Sequence, residues 1–491
     1  MPFFLFTRYY ALCIVRALLA GFFTLAPGVS KNINANRAHS NLLTQFVNNV
    51  VHINAGWVLF PQAVFGLGRQ IRSRKILQKQ LYKPLWEYVP ITQFSRPTAP
   101  MRENVRHSCL SWLSRLQPQL FRRNQFFSMP PYLLNRAAPA PDSAQILTAL
   151  TQALRGWELA KEPEQMVQVL VAPPGSGIEQ ATTKLARKNG WQIMGAPSVR
   201  QILAGGEAWL EQVTRPGLTP LVIPRLGKCY LRHQEGLELL SRFLDWLQTT
   251  RRRCLIVCDS WAWAYLKKAL QIDVMVPSPL TLAPFDGAKL QFWLPFLANR
   301  IHNGRFHFRH VEDGALIFPL AETYNQAVAH YRSPGQIERY GDWVSVHHFF
   351  RQLAAYGRGL PGVIWQVWRQ SLEMIHENRQ DGLKPDDMLD DDKRYTVWVQ
   401  TWSRLQLPTM PGGLGTNESL VLHTTLLHGG ISAELIADLT PLSHNEVRRI
   451  LQMFWRASLL EKEEDRWQVP LLAYPTVRSF LANEGYLVDE F

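Results

Sequence analysis

The sequence predicts an α/β fold, a P-loop-type parallel sheet with helices on both faces, and three observations carry that prediction. Residues 166–184 read MVQVLVAPPGSGIEQATTK, an apolar strand running into a glycine-rich turn and then a helix, the setting a phosphate-binding loop requires. Strands then alternate with helices up to residue 270, which argues for a parallel sheet rather than a meander. The chain has 491 residues, is 46% hydrophobic and carries 17 tryptophans, enough for real cores and room for about three domains.

Taken in order, residues 1–140 form a basic, apolar region that is expected to be mostly helical. It holds 17 Lys/Arg against Glu87 and Glu103, so the net charge of +14 for the whole chain belongs to this region. Segments 9–27 and 51–68 are its most apolar stretches. Arg16 sits in the middle of the first, where a charge costs about 3 kcal/mol on insertion scales, and Pro61 and Gln62 interrupt the second. Packed helices, a signal peptide and peripheral attachment to an anionic membrane through the basic run 69–83 all remain open. Residues 121–142, with RR, PP and AAPAP, read as a linker.

A helix is expected over 143–159, then the loop. On the G-x-x-x-x-G-K-[ST] pattern the turn is Ala172, Pro173, Pro174, Gly175, Ser176, Gly177, but Ile178 stands where the lysine belongs and Glu179 where the metal-binding hydroxyl belongs. Gly175 and Gly177 can take the backbone angles that turn N–H groups into one concavity, so weak anion or nucleotide binding remains chemically sensible. Glu179 equally suits the positive end of a helix. Next come strand 191–196, helix 199–203, strand 218–223, helix 235–249, strand 254–258 and helix 262–270. Asp259 follows the last strand. It either caps the next helix, the commoner role, or marks the edge of a site at the strand's carboxyl end. Arg251, Arg252 and Arg253 read as a solvated helix end.

The loop, the strand 218–226 (LTPLVIPRL) in a Walker B position, the strand 251–266 (RRRCLIVCDSWAWAYL) in a sensor position and the turn GLPGVI at 359–364 together resemble a P-loop ATPase of the AAA or STAND type over roughly residues 143–380. The resemblance implies ATP or another nucleotide as ligand and a lid helix opening at the glycine-x-proline turn. The departures imply loss of catalysis: beyond Ile178 and Glu179, Pro224 and Arg225 replace the acids that would hold the metal-bound water and polarise the attacking one. A pseudo-ATPase with weak or no nucleotide binding is the expectation.

Domains are expected at 143–300 for the sheet, 301–410 for lid and connecting helices, and 411–491 for a C-terminal module. In the last, helices 419–427, 432–439 and 443–456 followed by a hairpin near 459–469 resemble a winged helix. DNA binding is the usual use of such a module, and Arg448 and Arg449 lie on its third helix. Residues 417–491 nevertheless carry six basic against eleven acidic side chains, four of the acids at the wing (Glu461, Glu463, Glu464, Asp465), so another protein is the expected partner. The ending GYLVDEF is expected to pack.

Five cysteines, odd in number and without C-x-x-C pairs, exclude a disulfide framework and a structural zinc site. The pairs His347/His348, His307/His310 and His423/His428 lack convergent acidic or cysteine partners, so no metal is assigned. The expected protein is regulatory or scaffolding and cytoplasmic, with peripheral membrane or nonspecific nucleic-acid contact through residues 1–140. A DNA-associated AAA-type ATPase and a membrane-attached signalling module are the alternatives.

Overall fold

The computed structural model describes residues 85–98, 126–162, 165–276, 278–302, 306–318, 346–375 and 395–491, with the side chains of 299–302 excepted. The chain divides into units Met1–Ser73 and Arg74–Phe491, and everything below concerns the second. Segments 9–27, 51–68 and 69–83 lie outside the described residues. Among the described residues no helix is long and apolar enough to cross a membrane.

The elements are β1 (Tyr88–Pro90), β2 (Phe126–Ser128), α1 (Pro131–Ala137), α2 (Ser143–Ala153), α3 (Arg155–Leu159), β3 (Val167–Ala172), α4 (Ile178–Lys188), β4 (Gln192–Ile193), α5 (Val199–Leu203), α6 (Glu207–Thr214), β5 (Leu221–Ile223), α7 (Glu238–Thr249), β6 (Cys254–Asp259), α8 (Ser260–Leu270), α9 (Ile272–Met275) and β7 (Leu280–Leu282). They are followed by α10 (Gly287–His302), β8 (Phe306–His310), α11 (His348–Tyr356), α12 (Pro361–Gln370), β9 (Leu372–Ile375), β10 (Tyr395–Val399), α13 (Thr416–Leu427), α14 (Ala433–Asp438), α15 (His444–Arg456), β11 (Glu461–Glu463), β12 (Arg466–Gln468) and α16 (Tyr474–Asn483).

The main sheet runs β1-β7-β3-β6-β5-β4. β3 through β7 are parallel, and β1 closes one edge antiparallel to β7. Its central strands are apolar on both faces, as helices on both sides require. Val169, Val171, Leu221, Ile223, Cys254, Ile256 and Cys258 enter one core, and Leu170, Val222, Leu255 and Val257 the other. Amphipathic α7, burying Leu239, Leu240, Phe243, Leu244 and Leu247, covers the first face, and α4 the second. The strand expected over 218–223 is shorter at its start: Leu218 is fully exposed and pairing begins at Leu221. The helix expected over 143–159 is two helices that meet at Leu154.

Two further readings are corrected. The segment read as a linker contributes β2 and α1, and the region read as lid and connecting helices contributes β8, β9 and β10. Together these strands build a second sheet, β2-β9-β10-β8. The three-residue β2 is too short to show periodicity, and its partner β9 lies far away in sequence, from Leu372 to Ile375.

The second and third C-terminal helices begin as the sequence indicates, while α13 starts at Thr416, ahead of the expected 419. Ser432 and Ser443 cap α14 and α15, the latter in a capping box with Glu446. Ile431 and Trp467 exchange backbone hydrogen bonds (3.1 and 2.7 Å), which ties the β11–β12 hairpin to the α13–α14 turn. Val421, Leu422, Ile436, Val447, Ile450, Leu451 and Phe454 share one continuous core with β3, β5 and β6. The tail packs, as expected. Phe491 is buried against Phe94 at 4.8 Å between ring centroids, and Asp489 accepts from Arg478 (2.7 Å), Tyr474 (2.6 Å) and Ser260 (2.6 Å).

Candidate functional site

The glycine-rich loop sits between β3 and α4, and its two glycines are there for their backbone. Gly175 and Gly177 have φ of 69° and 71°, the left-handed region that a Cβ would strain. Ser176 N–H donates to the Pro173 carbonyl at 3.1 Å, closing a tight turn, and Ser176 Oγ accepts from Ile178 N–H at 3.4 Å. Pro174 lies within that turn.

Beside Gly175 the chain packs closely on itself. A Cβ on Gly175 would lie 2.9 Å from Leu471 Cδ1 and 3.0 Å from Gly362 Cα, and a Cβ on Gly362 would lie 2.7 Å from Gly175 Cα. The first turn of α12, which the sequence marked by its glycine-x-proline turn, is therefore pressed backbone to backbone against the loop, with Leu471 beside it. Ile178 is fully buried in the core that also holds Ile146, so the position where a lysine would reach a phosphate is an apolar packing site. Glu179 pairs with Arg225 at 2.5 Å, so the anion brought toward the loop is matched by a cation that follows β5.

Sequence reasoning missed Lys228. It follows β5 in a short 3-10 turn, and its Nζ donates to the carbonyls of His428, Gly429 (2.9 Å) and Gly430 (2.8 Å), at the C-terminal end of α13. Burial lowers its ammonium pKa to about 8, against the attraction of Asp259. Nothing in local sequence marks it, because its partners lie some 200 residues away.

Asp259 corrects the capping expectation. It occupies the N-cap position of α8 but makes no side-chain cap bond. Its carboxylate instead faces Gly227, where a Cβ would lie 2.6 Å from Oδ2, and Gly429. Burial holds its carboxyl above the usual range, with Lys228 pulling the other way. Arg252 and Arg253 correct the solvated-end expectation. Arg252 is buried and donates to Thr219 O (3.0 Å), Arg215 O (3.1 Å) and Gln192 Oε1 (2.6 Å), while Arg253 donates to Ala160 O (2.8 Å).

The histidines divide. His423 Nε2 meets the Leu487 carbonyl at 3.0 Å and Arg232 lies beside Nδ1 at 3.4 Å, whereas the rings of His310, His347 and His348 cluster with centroids 4.3 to 5.9 Å apart. Among the described residues no group of three His, Cys, Asp or Glu is placed to hold a metal ion. Cys229, Cys254 and Cys258 are free and buried. Loop and sheet order define an α/β protein of the P-loop type, with the start of α12 packed against Gly175 of the loop.

No protein-family model and no curated protein matches the chain. Solved structures do. The Thermotoga maritima RuvB Holliday junction branch migration motor is 12% identical over 70% of this chain and 94% of its own, with a TM-score of 0.27. Cdc6p from Pyrobaculum aerophilum is 12% identical over 71% and 96%, at 0.26. The Aeropyrum pernix ORC1 protein in complex with DNA is 13% identical over 74% and 99%, at 0.28. A likeness of that degree assigns no function.

Proposed function

We propose that this chain is a regulatory or scaffold protein built on a degenerate AAA/STAND-type P-loop domain, in which the nucleotide site has become a packing site. The observation that supports it is the packing of Gly362 and Leu471 against Gly175, at the distances given above. The missing groups agree: no cation faces the phosphate position from Ile178, and Pro224 and Arg225 offer nothing to a metal-bound water. Pro174, Gly175, Ser176, Gly177, Ile178 and Glu179 are residual loop positions with at best weak, metal-independent affinity for a nucleotide, and Arg225 and Asp259 form the site edge. Residues 411–491 are an acidic winged helix that docks protein, and the body of the chain is cytoplasmic.

Calorimetric titration of the full chain with ATP and ADP, with and without Mg²⁺, beside a phosphate-release assay, tests this. Absent turnover and absent or weak Mg²⁺-independent binding are expected. Turnover stimulated by duplex DNA and abolished by altering Gly177 would replace the scaffold with the DNA-associated ATPase.

A further inference from the structure

The face of α15 turned away from the core is basic and aromatic. His444, Arg448, Gln452 and Trp455 run along one stripe, with Arg449 and Arg456 beside it, and all are exposed. Its C-terminal half opens as a groove lined by Arg449, Gln452, Met453, Arg456 and Ala457. Trp455, 54% exposed, stands next to this groove. Arg448 and Arg449 have neighbours of opposite charge, Glu434 at 3.5 Å and Glu418 at 3.6 Å, yet their side chains remain 62% and 66% exposed. Among the described residues Arg456 has no ion-pair partner.

The hairpin directly after this helix is net acidic, with four acids against Lys462 and Arg466, and Lys462 Nζ lies 3.4 Å from Asp465 Oδ1. Glu461, Glu463, Glu464 and Asp465 are exposed, and the Gln468 amide donates to both Glu461 (3.1 Å) and Glu463 (3.0 Å), holding two carboxylates side by side. At the tip, Glu464 has φ of 53°, a conformation that glycine or asparagine adopts more easily, and the neighbouring Asp465 side chain is 96% exposed. A strained acid retained at an exposed tip points to a use for the acid.

A partner for this surface must answer both signs. A nucleic acid duplex or an acidic peptide would satisfy the groove and meet like charge at the wing. A second copy related by a two-fold axis offers its wing to the groove and its groove to the wing. We propose that α15 and the β11–β12 hairpin form a self-association surface, in which Glu464 and Asp465 of one copy sit against Arg449 and Arg456 of the other. This rests on residues 411–491 being a protein-docking module, and it names the partner.

The test is sedimentation equilibrium of the full chain over a concentration series. Expected is a reversible dimer that weakens as salt rises, and that weakens by about tenfold or more in Arg449→Glu/Arg456→Glu and in Glu464→Arg/Asp465→Arg. An equimolar mixture of the two variants should recover it, because both contacts are then again of opposite charge. All four positions are exposed, so folding is not at stake. As a further check, Glu464→Gly removes the strain and should raise the melting temperature of the dilute chain while weakening the dimer. A monomer at every concentration, an association indifferent to either swap, a mixture that fails to recover, or Arg449/Arg456 variants that lose duplex binding in place of association each overturn the proposal. ATP turnover would overturn the scaffold function and leave this contact standing, whereas a turnover-free monomer would overturn only this contact.

Discussion

Acid should unfold this protein through two neutral histidines that tie α13 to the C-terminal tail and to Arg232. His423 donates from Nε2 to the Leu487 carbonyl (3.0 Å) and has Arg232 beside Nδ1 (3.4 Å), and His428 accepts from the Arg232 N–H through Nε2 (3.5 Å). In both rings the second nitrogen faces a donor, so a second proton has no acceptor. Burial lowers the pKa of His423 to about 4 and that of His428 to about 3, with Arg232 adding to the shift in each and Lys228 in the second. The unfolded chain titrates near 6.5, so between that value and about 4 the unfolded state binds more protons than the folded one. The stability these rings contribute is therefore complete above pH 6.5 and falls as pH drops through the window. Each pH unit is worth about 1.4 kcal/mol per group, giving about 2 kcal/mol per histidine and about 4 kcal/mol for the pair at pH 5. That is a large part of a total of about 5–15 kcal/mol. Urea unfolding at pH 7.5 and 5.0 measures it, comparing the natural chain with His423→Gln/His428→Gln. The double variant should lose about 4 kcal/mol less over that interval, carboxylate contributions being common to both. Equal losses in the two proteins would refute the argument.

Other perturbations follow from the packing. Gly362→Val places side-chain atoms against the Gly175 backbone and should cost about 1–3 kcal/mol or more by overpacking, read as a shift in urea midpoint; an unchanged midpoint would mean that loop and lid are not in contact in solution. Asp489→Ala removes the acceptor of Arg478, Tyr474 and Ser260 and leaves Arg478 buried without its anion, at a cost of about 3–5 kcal/mol. Replacing Arg478 as well with Met should recover part of that loss, and a double variant no better than the single one would contradict the charge-burial account.

The parallel sheet was legible because each central strand carries apolar residues on both faces, as 167–172 and 254–258 do, and because glycines at 175 and 177 fix a turn that few other residues can make. The second sheet was not. β2 has three residues, and its hydrogen bonds come from β9, so no local period betrays it. Around the candidate site the residue types alone show where charge is missing: Ile178 cannot carry charge, nor Pro224 a proton. What packs there could not be read. Leu471 reaches the loop from just before α16 and Lys228 reaches α13 from the turn after β5, and these are contacts of the folded chain with no sequence spacing to mark them. Asp259 misled for the same reason. Its position is a capping position, but its carboxylate packs against Gly227, where a side chain would collide with it, and Lys228 lies close enough to attract it.

The loop's glycines can now be given a physical reason that needs no ligand. In a phosphate-binding loop, glycine lets the backbone approach an anion. Here Gly175 lets the backbone approach Gly362, and a side chain at either position would collide with the other. The loop's shape is thus held by packing against a helix start. Because α13–α15 and the sheet bury one continuous core that also takes Leu360 and Val363, the C-terminal helices and the start of α12 share one set of contacts. A ligand that needs the space beside Gly175 would have to displace Leu471 and part α12 from it, and without a lysine at Ile178 it would bring little charge-charge attraction to offset that cost.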